Sequence, residues 1–204
     1  MSSEQIHVDV EDGDLTRGEV ILKGALAAGA AYGTLAVGPY VRRALAKSGG
    51  GDVDILNFAL TLEYLEARFY AEAKSRAGAS GELKALVDLL AKDEQQHVEA
   101  LAGTIKKLGG KPVAEPKFDF AYGDTAGFLE LAQTFEDTGV SAYNGAAPMI
   151  KSKEVLTAAG SIVQVEARHA AAIRLQNDAE PSPAAFDQPL GEAQVLKAVE
   201  PFIV

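Results

Sequence analysis

Between Asp54 and Asp178, apolar residues recur every three or four positions in four long runs, the period of helices that each bury one face. The runs predict helices over Asp54 to Ala77, Glu82 to Leu108, Thr125 to Ile150 and Lys153 to Asp178. The short link Gly78 to Gly81 joins the first two, and Pro148 with its neighbours breaks the last two, so each pair reads as antiparallel neighbours. Between the second and third runs lies GGKPVAEPKFDFAYGD, Gly109 to Asp124, with two prolines and little periodicity. A helix of about 27 residues is about 40 Å long. Sixteen extended residues reach about 50 Å, enough to return along a whole bundle. The pattern therefore predicts an all-α four-helix bundle with a long crossover between the second and third helices; a plain up-down bundle with a floppy third loop is the alternative.

Flanking segments complete a three-part organisation. Residues 1–50 hold an acidic tail (1–16) and an apolar stretch read as an N-terminal helix, residues 51–180 the bundle, and residues 181–204 a tail. The last has Pro181, Pro183 and Pro189 ahead of QVLKAVEPFIV, which is expected to dock on the bundle. Gly24 to Val41 is eighteen uncharged residues rich in Ala and Gly, followed by Arg42 and Arg43. That length is the lower limit for crossing a bilayer, so residues 20–41 are a candidate membrane association; a helix packed on the domain is the blander reading. The segment resembles a twin-arginine export signal, with Thr16, Arg17, Leu22 and Lys23 near the pattern and Gly18 where the second arginine belongs. An exported or membrane-anchored location in the cell envelope is expected from it.

Polar residues break into the apolar faces in a repeated way. In the second helix Leu83, Leu86, Leu90, Leu101 and Leu108 share one arc, and Glu94 with His97 sit inside it, whereas Lys84, Asp88, Lys92 and Glu99 do not. In the fourth, Val155, Ala158, Ile162 and Ile173 form the arc that holds Glu166 and His169. The first helix places Leu56, Ala59, Leu60, Ala67 and Tyr70 around Glu63, and the third places Leu129, Ala132, Val140, Tyr143 and Ala147 around Glu136. Each half thus reads Glu, six residues, Tyr, then Glu-x-x-His on the next helix.

Four carboxylates and two imidazoles converging in a core make a ligand set for two divalent cations, with bridging and terminal carboxylates and one nitrogen per ion. Unpartnered burial of such groups costs several kcal/mol, so the opposing reading is a hydrogen-bonded core network in which Glu94 and His97 meet Arg168 or Tyr143. Four carboxylates sharing a site without cations would repel one another, which weighs against that network. Glu66 also falls in the apolar arc, beside Leu62 and Phe69, as a supporting partner or the true first-helix ligand; Glu63 is preferred because it mirrors Glu136. Asp93 and Asp137, each next to a candidate ligand, are placed to orient a histidine or bond the opposite helix, or simply to lie at the helix rim.

Composition narrows the chemistry. There are 29 acidic against 19 basic residues, a net charge of −10, which argues against a nucleic-acid partner. The absence of cysteine excludes thiolate metal sites and disulfides. Of three histidines, the two outside the tail that holds His7 are both spent on the Glu-x-x-His pairs.

The wording NFALTLEYLEARFY, DEQQHVEAL, FEDTGVSAYNGAAP and VEARHAAAIR, with the tail AFDQPLGEAQVLKAVEPFI, resembles the ferritin-like superfamily, and within it the bacterial ferritin-like family that includes desiccation-related proteins. The likeness spans about Ile55 to the C-terminus. It implies a ferritin-like bundle with a diiron or related dinuclear site of two iron, manganese or mixed ions. The implied ligands are Glu63, Glu94, His97, Glu136, Glu166 and His169, and all six positions are filled. It also implies twin-arginine-like leaders and a homodimer. The expected function is oxidation of ferrous iron, or reduction of dioxygen or peroxide, in stress protection, with Tyr70 and Tyr143 as hydrogen-bond donors or electron relays. The competing expectation is an envelope-associated structural or interaction domain whose metal holds the fold together.

Overall fold

The computed structural model describes residues 51–204; the acidic tail, the leader-like Thr16 to Lys23 and the Gly24 to Val41 stretch lie outside the described residues. Four long helices, α1 (Asp52–Arg76), α2 (Gly81–Lys107), α3 (Thr125–Ala146) and α4 (Lys153–Gln176), are followed by a short α5 (Glu192–Val199). None of the described helices is long and apolar enough to cross a membrane.

Local chemistry sets the ends. Asp124 caps α3 by accepting from the Gly127 amide at 2.9 Å, and Ser152 caps α4 by accepting from Val155. In α1, Asp52 and Asp54 occupy the first turn and Lys74 and Arg76 the last, the arrangement that complements the helix dipole. Three predicted ends are corrected. α3 stops at Ala146 rather than Ile150, because Pro148 tightens the chain into a 3₁₀ turn, Ala147–Met149. α4 stops at Gln176, since Asp178 turns left-handed (φ 55°) and the Ala179 amide bonds the Arg174 carbonyl at 2.9 Å. α2 ends one residue early through the same closure, with Gly109 at φ 76° and the Gly110 amide on the Ile105 carbonyl; Leu108 is consequently 44% exposed instead of in the core arc.

α1 packs beside α2, and α3 beside α4, as the short links require. The crossover then runs back along α1. Asn57 near the start of α1 binds the Val113 amide (2.8 Å), Arg68 pairs with Glu115 (2.5 Å), and Arg76 at its end reaches the Phe120 carbonyl (3.2 Å). Thr125 then opens α3 against the Ala77 carbonyl at 2.7 Å. Asp52 closes the other end, its two carboxylate oxygens each accepting at 2.8 Å from the amides of Lys151 and Ser152. The long crossover is thus present, and the up-down alternative is excluded.

Two apolar clusters fill the interior. One stacks Phe69 on Phe128 and sets Phe120 and Phe135 edge to face against it, with ring centroids 4.9 to 5.2 Å apart, and takes Val195, Val199 and Ile203 from the tail. The other joins Leu56, Leu60, Leu101, Ile105, Tyr143 and Ile162. The tail docks on the bundle: the Asp119 amide bonds the Phe202 carbonyl at 3.0 Å, and the Val204 amide bonds Lys117 at 2.9 Å. Gly145 makes the docking possible, because a Cβ there would stand 1.9 Å from the Leu190 carbonyl oxygen. Along α2 and α4 the Glu-x-x-His pairs fall between residues of the two clusters.

Candidate metal centre

Each long helix contributes a glutamate with no exposed surface to the core: Glu63 from α1, Glu94 from α2, Glu136 from α3 and Glu166 from α4. His97 and His169, one turn further along α2 and α4, are buried beside them, with ring centroids 6.1 Å apart. The helical spacing of Glu-x-x-His forces this, since positions three apart share a face.

The donors divide into two groups. Glu63, Glu94, His97 and Glu166 each offer an atom within 4.8 Å of the others, and so do Glu94, Glu136, Glu166 and His169. Glu94 and Glu166 belong to both. In the first group His97 Nδ1 lies 2.8 Å from Glu166, 3.0 Å from Glu94 and 3.3 Å from Glu63. In the second, His169 Nδ1 lies 2.7 Å from Glu94 Oε1 and 3.7 Å from Glu136.

The tyrosines support opposite helices. Tyr70 on α1 donates to Glu136 on α3 at 2.5 Å, and Tyr143 on α3 donates to Glu63 on α1. Asp93 on α2 faces His169 Nε2 on α4 at 3.5 Å, whereas Asp137 pairs with Arg174 on α4 at 2.7 Å. The hydrogen-bonded network weighed against a metal site is not formed as expected: Arg168 is exposed, and the Tyr143 hydroxyl serves Glu63 instead.

Electrostatics show a cluster under strain from its own charge. Burial, then Glu166 and Glu94, hold Glu63 well above the usual carboxylate range; burial, then Glu94 and Glu166, do the same to Glu136, and Glu166 is raised by burial and Glu94. Burial also opposes ionisation of Glu94, but the imidazoles of His169 and His97, 2.7 and 3.0 Å away, outweigh it and bring the pKa down to about 2. For His97 burial opposes charge, and the surrounding carboxylates Glu166, Glu63 and Glu94 prevail, pushing it up to about 12.

These residues fit bound metal. Glu63 Oε2, Glu94 Oε1, Glu136 Oε2, both oxygens of Glu166 and both nitrogens of His169 are buried without a hydrogen-bond partner. Buried polar atoms are ordinarily paired, and so many orphans in one place, all carboxylate oxygen or imidazole nitrogen, are the donor set that iron or manganese takes.

Fold and cluster together define a ferritin-like bundle whose core carries a carboxylate and histidine group able to hold metal. The model of the ferritin-like domain family matches residues 51–178, and the chain belongs to that family. Two solved structures are similar in fold. One is a ferritin-like, diiron-carboxylate protein from Bacillus anthracis str. Ames, 26% identical, with a TM-score of 0.55 over 61% of this chain and 94% of that one. The other is a conserved hypothetical protein, rv2844, from Mycobacterium tuberculosis, 15% identical, with a TM-score of 0.57 over 63% of this chain and 98% of that one. No curated protein matches the sequence.

Two features escaped the sequence reading. Arg174 as the partner of Asp137 carries no motif and follows only from the meeting of α3 and α4. The space over Gly139 was readable as the position where the internal repeat fails, since Glu66 in the first half has glycine as its counterpart in the second.

Proposed function

We propose that the protein binds two divalent iron or manganese ions and oxidises ferrous iron, or reduces dioxygen or peroxide, in stress protection. The observation that carries this reading is the division of the buried donors into two groups sharing Glu94 and Glu166. Glu63 and His97 would complete one ion's shell, and Glu136 and His169 the other's, with Glu94 and Glu166 between the two. When bound, such a pair supplies two electrons together, the number needed to reduce dioxygen to peroxide or peroxide to water.

The chain's own residues hold and shield. Tyr70 and Tyr143 fix the two outer carboxylates, Glu136 and Glu63, by hydrogen bonds from the facing helix. The aromatic cluster about Phe69 and the aliphatic cluster about Leu60 exclude water on either side, which strengthens every charge interaction between them. The similar protein from Bacillus anthracis bears the description diiron-carboxylate, which supports iron as the first metal to try.

Elemental analysis of the native, unreconstituted protein tests the reading. About two iron or manganese ions per chain are expected, absent from a Glu94→Ala, His97→Ala double variant, which should also fail to oxidise added ferrous iron. No metal in the parent, or unchanged iron oxidation in the variant, overturns the proposal. The envelope-associated alternative rests on Gly24 to Val41 alone, and is favoured if the metal is bound but never changes oxidation state with peroxide.

A further inference from the structure

Among the described residues, Glu66 is the buried carboxylate that both ligand groups leave out. It is 3% exposed and sits on α1 one turn beyond Glu63. None of the described residues donates a hydrogen bond or forms an ion pair with it; burial and then the carboxylates of Glu166, Glu94, Glu136 and Glu63 all oppose its charge. Its carboxylate and that of Glu166, which both groups share, lie around the same point above Gly139, so Glu66 reaches the cluster beside Glu166.

Its room comes from the facing helix. A Cβ placed on Gly139 of α3 would stand 3.0 Å from Glu66 Oε1 and 3.7 Å from both Glu66 Oε2 and Glu166 Oε2. The internal repeat makes this unusual. Glu63 corresponds to Glu136 and Tyr70 to Tyr143, yet Glu66, three residues after Glu63, corresponds to Gly139, three residues after Glu136. The first half carries an extra carboxylate where the second half carries no side chain at all, and one fills the space the other leaves. A methyl group at position 139 would press on Glu66 Oε1 and oblige the carboxylate to shift, and an apolar residue at 66 would fill the space at far lower cost than a buried acid.

We propose that Glu66 is a seventh metal-ligating side chain, engaging the bound pair from beside Glu166, with Gly139 as the cradle that admits it. The proposal rests on the dinuclear reading above. It makes the two ions unequal, because the extra ligand comes from one half of the repeat only. If Glu66 served only to fill space, its neutral isostere would do equally well.

The full chain titrated with Co(II), followed by calorimetry and by the visible absorption of the bound ion, separates the two. Glu66→Gln should weaken at least one of the two binding events by about tenfold or more and alter the absorption intensity, which reports coordination number. Gly139→Ala should move both readouts in the same direction. The two changes together should be no worse than Glu66→Gln alone, since the added methyl acts only through the carboxylate it displaces. Two Co(II) bound by Glu66→Gln with parental affinity and spectrum would overturn the inference and leave the dinuclear reading standing. A parent chain that binds no Co(II) would remove that reading, and this inference with it.

Discussion

Tyr70 of α1 donates its hydroxyl to Glu136 of α3 at 2.5 Å, and the same bond is returned in the opposite sense by Tyr143 of α3 to Glu63 of α1. The reciprocity follows from the repeat: each half places tyrosine seven residues after its lone glutamate, and α1 and α3 run antiparallel across the core. Each phenol satisfies one oxygen of an outer carboxylate and leaves the other, Glu136 Oε2 or Glu63 Oε2, aimed into the cluster without a partner. Removing a phenolic oxygen should therefore free a carboxylate that metal binding needs held. Tyr70→Phe and Tyr143→Phe are each expected to lower metal affinity by about tenfold and to destabilise the metal-free protein by about 1 to 3 kcal/mol. Calorimetric metal titration and thermal unfolding check both, and unaltered affinity in both variants would show the tyrosines to be packing only.

In the metal-free chain the carboxylates destabilise one another. Glu166→Gln takes away one charge while keeping shape, so the metal-free variant should unfold at a higher temperature than the metal-free parent. Metal binds the native form only, and the parent should gain about 2.7 kcal/mol at a hundredfold excess over Kd. The variant, missing a shared ligand, should gain far less. Thermal scans with and without chelator test this crossing of the order. A parent that unfolds at the same temperature in both conditions would mean that no ion contributes to the fold.

Much of this was legible in the sequence because it is local. Glu-x-x-His fixes two donors on one helix face whatever the helix meets, and the repeat of that motif with lone glutamates and tyrosines sets all four helices in register. The crossover was readable from length alone. What was not readable depended on other helices: that Arg168 points outward, that Arg174 takes Asp137, and that Leu108 is exposed once Gly109 closes α2. Helix ends were misjudged where a left-handed residue, Asp178, ended a run that periodicity would have continued.

Protons should leave the site when metal enters. His97 is pushed up to about 12, so at neutral pH the metal-free cluster holds a proton that a free imidazole would largely have lost, and Glu63, Glu136 and Glu166 are raised, keeping theirs to higher pH than free carboxylates do. Cations bind the deprotonated forms, so affinity should rise with pH and loading should release protons rather than take them up. For stability the signs differ by group. The contribution of His97 is complete below its unfolded value of about 6.5 and is lost as pH rises through about 12. That of Glu94, held down to about 2, is present above the usual carboxylate range and is lost as pH falls through that value. Calorimetry in buffers of different ionisation enthalpy counts the protons; uptake on loading would contradict the assignment.

The tail depends on one absent side chain. Gly145→Ala would place a Cβ 1.9 Å from the Leu190 oxygen and 2.8 Å from its carbon, both backbone atoms that cannot turn aside. The Leu190 amide bond to the Ser141 carbonyl, 3.0 Å in the parent, should break with it. A loss of about 1 to 3 kcal/mol is expected, together with faster proteolysis between 179 and 191. Resistance equal to the parent would place the anchoring of α5 elsewhere.

Asp93 breaks the symmetry of the two histidines. It precedes Glu94 and lies 3.5 Å from His169 Nε2, whereas its counterpart before Glu166 is Val165, which has no charge to offer His97. A neutral imidazole that presents the Nδ1 lone pair to the cluster must carry its proton on Nε2, and on His169 that nitrogen is the one near Asp93. The charge of the acid at that distance favours the tautomer able to ligate. Asp93→Asn should therefore weaken metal binding by about tenfold to a hundredfold, and only for the ion that takes His169. In a stepwise Co(II) titration one binding event should shift while the other stays. Equal weakening of both events, or of neither, would refute a role for Asp93 specific to His169.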